Sequence, residues 1–451
     1  MVHRFFDCSV TGCKRPSARA VGAGCDMCSS YFCGLHMSRD HHKCPSTGDL
    51  DDAAYTALIA AEIGRLREQI NEKAVCELAS SLSEGKPCTL EHPSRIVGAD
   101  ALTGCANYHV RIRFDDRSPS WLMRVPRVTG FAVGFPISLA EYSIRSEYAT
   151  LKFLETTTVP APRAFAFGIP SENTDHGVGV CFLFMEELPG KPWDGRGDAN
   201  KVWKGLTGIL AELERYPFTK AGSLYVKDPG DLPCVSSTAS DRFVCLDPYG
   251  PFETSQEYYT AWAEQYLTLI ADGQLYPQFP VEAYLVYRFL QENAAQLCDS
   301  EGGFYLKHVD DKGDHLMVDE DLNITGIIDW QMARVVPRRE AFGLDLVSAD
   351  MRTLCDGDVS LSIEDVALGK AVNEEILGME PLTKDERVRR FFWGLGLESK
   401  WKHALPLANA ILQVFGVEQG WDEWKACALE CYGSEERLRA LVGDSSKHAD
   451  Q

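Results

Sequence analysis

Long apolar runs are missing from this chain. The most apolar stretch, around Gly177–Met185, is about half of the roughly 20 residues that a membrane-crossing helix needs. The opening residues, from Met1 to Asp7, lack the apolar centre of a secretion signal. No membrane partner is therefore expected, and the chain is expected in the cytoplasm, with the nucleus also open to it. In that reducing setting its 16 cysteines stay thiols or serve as metal ligands. No internal repeat is present. Basic charge is scarce as well: 45 Lys and Arg stand against 66 Asp and Glu, a net charge of −21. The first 46 residues reverse the trend, with six basic and three acidic residues, which leaves −24 on the rest. So acidic a body argues against binding a phosphate backbone. It suits solubility first, and it admits a cationic small molecule.

What is present is ordinary globular material, 45% hydrophobic and 25% charged. The length exceeds one compact core, so two lobes are expected beyond a small N-terminal unit. Residues 51–83 place Leu58, Ile59, Ile63, Leu66 and Ile70 at helical spacing, which predicts one connecting helix. Strand-like runs follow at 109–114, 121–125 and 178–185, interrupted by a helical pattern over 139–154. From Asp198 onward amphipathic helices dominate, including 255–272 and 281–297. A hairpin, 316–318 with 324–328, turns through Asp319–Asn323. The expected fold is α+β, with a strand-rich lobe followed by a helical lobe.

The first 46 residues carry Cys8, Cys13, Cys25, Cys28, Cys33, His36, His42 and Cys44. Thiolates and neutral imidazoles suit tetrahedral zinc, four to a closed structural site, so eight donors predict two zinc ions. A segment this short lacks a core of its own, and metal binding would supply its folding energy. Phe32 and Leu35 are expected to fill its small interior. The spacing resembles the AN-one-type zinc finger. The resemblance implies a cross-brace, with Cys8, Cys13, Cys33 and His36 on one zinc and Cys25, Cys28, His42 and Cys44 on the other. It also implies a protein-interaction module, hence a protein partner at the finger.

A second constellation lies at His308-Val-Asp310 and Ile328-Asp329-Trp330. Phosphoryl transfer asks for few groups: a carboxylate for the attacking hydroxyl, a carboxylate for magnesium and a cation for the phosphates. Two carboxylates at the ends of a short hairpin would converge on one site. The pattern resembles the aminoglycoside phosphotransferase and choline kinase-like branch of the protein-kinase fold. The resemblance implies ATP with magnesium. It makes Asp310 the base, Asp329 the main magnesium ligand, and Arg124 the phosphate cation fixed by Glu147. It places Gly104 in the phosphate-covering turn and Met185, Glu186 and Leu188 in the hinge against adenine. Two positions depart from the pattern: Arg124 stands where lysine is usual, and His315 stands where an asparagine would hold magnesium. His308 is expected to brace the loop.

These readings divide the chain into a finger at 1–46, a helical linker at 47–87, a kinase domain at 88–442 and a flexible tail at 443–451. They favour an ATP-dependent phosphotransferase acting on a hydroxyl of a small molecule that the sequence leaves unidentified. The alternative is a pseudokinase scaffold whose finger recruits a protein. A nucleic-acid partner is disfavoured, because an excess of three basic residues is too little.

Overall fold

The computed structural model describes residues 8–13, 30, 32–33, 52–94, 106–127, 137–240, 245–298, 303–310, 312–344, 346–376, 387–398 and 400–449. In the N-terminal lobe, alternation sets the strands. Tyr108, Val110, Ile112 and Phe114 are buried, while His109, Arg111 and Arg113 between them are less so, the period of two that a pleated strand imposes. Five strands form an antiparallel sheet: β1 (Cys88–Glu91), β2 (Asn107–Phe114), β3 (Trp121–Pro126), β4 (Ala164–Gly168) and β5 (Phe182–Glu186), in the order β1-β2-β3-β5-β4. In β3, Arg124 lies between His109 of β2 and Leu183 of β5.

The two faces of this sheet bury different partners. The expected single connecting helix is two, α1 (Asp52–Gln69) and α2 (Glu72–Leu82). Asn71 breaks the run by capping α2, its side chain accepting from the Ala74 amide at 3.3 Å. Both helices belong to the lobe: Ile59, Ile63, Val75 and Ala79 share a core with Val110, Ile112, Met123, Phe182 and Phe184. Arg127 reinforces the contact with a buried two-pronged bond to Glu62. On the opposite face, α3 (Ile137–Leu154) packs Ile144, Tyr148 and Leu151 in a core with Leu183 and Met185. The strand expected from residue 178 starts only at Phe182. Gly179 takes a left-handed φ of +92°, and a Cβ there would sit 2.5 Å from the Gln69 carbonyl oxygen, so the chain turns instead of extending.

The C-terminal lobe is helical: α4 (Ala199–Glu214), α5 (Ser255–Ala271), α6 (Pro280–Asn293), α7 (Ile363–Glu375), α8 (Val388–Leu397), α9 (Trp401–Val414), α10 (Trp421–Tyr432) and α11 (Glu436–Ala449). The last helix runs across the boundary at which a flexible tail was expected. Short strands line the junction between lobes: β6 (Lys191–Pro192), β7 (Phe304–Lys307), β8 (Leu316–Val318), β9 (Ile324–Ile327) and β10 (Arg334–Pro337). β8 pairs with β9 as the expected hairpin and with β6 of the inter-lobe crossing, while β7 pairs with β10. The hairpin turn is held by Asp319, whose carboxylate accepts from the amides of Asp321 and Asn323. No helix of the described residues is long and apolar enough to cross a membrane.

Candidate functional site

Two short segments are stitched together where the lobes meet. The loop after β7 runs from His308 to His315, and the turn after β9 carries Ile328, Asp329 and Trp330. The Ile328 amide donates to the His315 carbonyl at 3.0 Å. Half-buried His308 donates from Nε2 to the Ile328 carbonyl at 2.9 Å and meets the Trp330 ring edge-on. Burial and then the neighbouring His315 push His308 below its ordinary pKa, although the bond to Ile328 pulls the other way. Trp330 in turn donates to the Ile327 carbonyl. Asp329 adopts a left-handed φ of +63°, a conformation aspartate tolerates better than most residues. It turns the carboxylate toward both lobes.

The carboxylate of Asp329 is divided between two partners. Its Oδ1 accepts from Arg124 Nη1 at 2.7 Å, and its Oδ2 lies 3.5 Å from His315 Nε2. The same Arg124 Nη1 lies 2.7 Å from Glu147 Oε1 in α3, and Arg124 Nε reaches His109 at 3.1 Å. One guanidinium thus links β3, α3 and the C-terminal lobe. Asp310 places Oδ2 3.9 Å from His315 Nε2. One donor atom each from Asp310, His315 and Asp329 lies within 4.8 Å of the other two.

The charges settle accordingly. Burial raises the Asp329 carboxyl, but Arg124 and then His315 outweigh it and hold the group below the usual carboxylate range. Burial pushes Glu147 up to about 7 against the pull of Arg124. Arg124 itself is lowered by burial and raised further by Glu147 and Asp329, so it ends above its ordinary value. The two partners point in opposite directions, one toward a neutral pair and one toward an ionised pair. Arg124 stays charged, because it also has Asp329. Glu147 is the member that titrates.

A sequence profile of the phosphotransferase enzyme family, APH, matches residues 103–344, more than half of the chain. The chain belongs to this family. No curated protein sequence matches it. Among solved structures it is similar to a candidate aminoglycoside phosphotransferase from Ralstonia eutropha, at 15% identity and a TM-score of 0.46 over 76% of this chain and 98% of that one. It is similar to a candidate fructosamine-3-kinase from Thermobifida fusca, at 18% identity and 0.45 over 74% and 98%. It is also similar to aminoglycoside phosphotransferase APH(4)-Ia, at 9% and 0.45 over 77% and 99%.

Membership in the phosphotransferase family gives the two departures their weight. His315 donates Nδ1–H to the Asp310 carbonyl at 2.6 Å, which turns Nε2 toward the carboxylates. The donor set is therefore two carboxylates and one imidazole nitrogen. It can hold a divalent cation, but it is not the all-oxygen set that magnesium prefers. In the stretch expected to form the hinge, Glu186 and Glu187 already spend their amides on the Arg163 and Ser120 carbonyls. Leu188 has no such bond among the described residues, and its side chain packs on Gly326. Met185 is buried beneath α3. Gly104 lies outside the described residues.

Three groups escaped the sequence reading. Lys312 lies 3.6 Å from Asp310 Oδ1 and 3.3 Å from Asp314; a lysine two residues beyond Asp310 was the available signal, hidden in a run of charges. Asn107 donates to Gln331 at 2.7 Å and ties β2 to the turn bearing Asp329. A cavity of about 70 Å³ opens beside Asp310 and His315, walled by Leu206, Ile209, Leu213, Leu368 and Val372.

Of the expected zinc ligands, Cys8, Cys13 and Cys33 are described, and their sulfurs lie within 4.8 Å of one another. Phe32 is buried beside them with Val10. Burial raises the Cys8 thiol, but the Cys33 and Val10 amides and the neighbouring thiols bring it below its ordinary value. Cys25, Cys28, His36, His42, Cys44 and Leu35 lie outside the described residues.

Proposed function

We propose that this chain is an ATP-dependent kinase that transfers the γ-phosphate to a hydroxyl of a small molecule. The carrying observation is the convergence of Asp310, His315 and Asp329 with Arg124, which spans the two lobes. The acceptor hydroxyl gives its proton to Asp310 as its oxygen bonds to the γ-phosphorus, and the bond from that phosphorus to the β-phosphate oxygen breaks toward ADP. Arg124 and Lys312 carry phosphate charge, and Glu147 fixes Arg124. The Leu188 amide is the hinge donor for adenine. No step is routed through magnesium, because a donor set with an imidazole nitrogen is not the all-oxygen set that magnesium prefers. The apolar cavity is the acceptor's seat. Its lining holds one carboxylate, Asp310, and the Lys307 ammonium is committed to the Glu340 carbonyl. An alcohol with an apolar body fits such walls better than a polycationic aminoglycoside does.

The test is ADP release from ATP by the full chain against a panel of hydroxyl compounds, apolar alcohols and aminoglycosides included. Asp310→Asn should lower turnover by about 100- to 10,000-fold with little change in ATP binding. Unchanged turnover in that variant would remove Asp310 from the mechanism, and no ADP release by the parent with any compound would favour the scaffold reading.

We further propose that the N-terminal segment is a two-zinc finger that recruits a protein. The clustered thiols of Cys8, Cys13 and Cys33 support the first of its two sites. Elemental analysis of the purified chain should give two zinc atoms, and Cys8→Ser should release one or both while the larger body keeps its melting transition. One zinc or none in intact protein would sink the cross-brace.

A further inference from the structure

The donors beside Asp310 specify a metal more narrowly than the phosphotransferase reading requires. His315 is held by its Nδ1–H at 2.6 Å from the Asp310 carbonyl. A ring nitrogen that donates to a backbone carbonyl while the other nitrogen keeps its lone pair is the usual arrangement of a metal-ligating histidine. Here Nε2 faces carboxylate oxygens of Asp329 at 3.5 Å and Asp310 at 3.9 Å. Two anionic oxygens set around one ring nitrogen call for a cation between them, a proton or a metal ion. Arg124 occupies Asp329 Oδ1, so Asp329 has one oxygen left for a metal. Three single donors, one of them nitrogen, make a poor magnesium site and a good one for a transition ion.

We propose that Asp310, His315 and Asp329 bind a divalent cation of the first transition series in preference to magnesium, with His315 Nε2 bonded to the ion. The assignment rests on the donors alone and stands whether or not ATP is the substrate. Mn²⁺ is the probe. It is the least thiol-seeking ion of the series, so cysteines of the N-terminal segment compete little for it, and its unpaired electrons report directly bound nitrogen.

The experiment titrates Mn²⁺ into the full chain by electron paramagnetic resonance, then displaces it with Mg²⁺. Displacement should need a large excess of Mg²⁺, because a nitrogen donor favours the transition ion over magnesium. Pulsed spectra should show nitrogen coupling, and His315→Asn should lose both the coupling and the preference. Displacement by equal Mg²⁺, or Mn²⁺ bound without nitrogen coupling, overturns the proposal. Those results come from the parent protein, so they decide the matter even if the variant does not fold. ATP binding measured alongside separates the two readings. Magnesium-dependent ATP binding without nitrogen-bound Mn²⁺ defeats the cation assignment alone, and nitrogen-bound Mn²⁺ without ATP binding defeats the kinase reading alone.

Discussion

Two buried arginines, one in each lobe, are built to different standards. In the C-terminal lobe Arg390 holds Asp365 with Nη1 at 3.0 Å and Nη2 at 2.7 Å. The same carboxylate accepts from the Ser348 hydroxyl and the Ser362 amide, so both of its oxygens are doubly engaged. Burial raises Asp365, but Arg390 and the other donors bring it below its ordinary value. In the N-terminal lobe Arg124 spends one nitrogen on two carboxylates. Glu147 Oε2 is buried with no hydrogen-bond partner among the described residues, and the Asp329 side chain is 33% exposed on a left-handed backbone. A closed network such as the first fixes packing. An open one, with a strained residue and an unmatched oxygen, is what a site needs if a ligand is to complete it.

The comparison predicts unequal costs on folding. Asp365→Ala leaves Arg390 charged and buried, and should cost about 3–5 kcal/mol in denaturant unfolding. Arg124→Met should cost less, at most about 2 kcal/mol, because Glu147 can take up a proton and Asp329 keeps its water. The same variant should abolish ATP binding, which Asp365→Ala should spare in whatever fraction still folds. Equal stability losses would break the distinction between a closed and an open network.

The sequence exposed the parts of this contrast unevenly. The hairpin bearing Asp329 was readable, because Leu316–Val318 and Ile324–Ile327 flank a turn whose Asp319 must cap its own backbone. Arg124 and Glu147 were readable only through the family resemblance. That Arg124 also bridges to Asp329 is a contact across 205 residues, which no local pattern encodes. The packing of α1 and α2 on the sheet was hidden for a similar reason: helical spacing marks an apolar face but not what covers it. Gly179 misled in the other direction. The run Val178–Met185 is apolar enough for a strand, yet the Gln69 carbonyl beside Gly179 leaves no room for a side chain, and the positive φ stops the strand short.

The smaller effect sharpens the comparison through pH. Glu147 has an ordinary value of 4.5 and is pushed to about 7 by burial in the folded lobe. Its folded value is the higher, so the native state binds the proton more tightly than the unfolded chain does. Below about 4.5 both states are protonated and the group contributes no difference. Between there and about 7 the unfolded chain loses its proton first, and stability falls as pH rises. Above about 7 the full penalty is present. Glu147→Gln keeps the shape and carries no titrating proton, so it should gain on the parent steadily from pH 4.5 to 7 and hold that gain at pH 8. The ceiling is about 1.4 kcal/mol for each unit of displacement. Asp329 does not confuse the measurement, since its lowered value puts its own transition on the acid side of this window. The check is urea unfolding of parent and variant at pH 5, 6, 7 and 8. A difference that stays flat across that range would mean Glu147 is ionised throughout and that Arg124 serves both carboxylates equally. The open network would then be as closed as the one at Asp365.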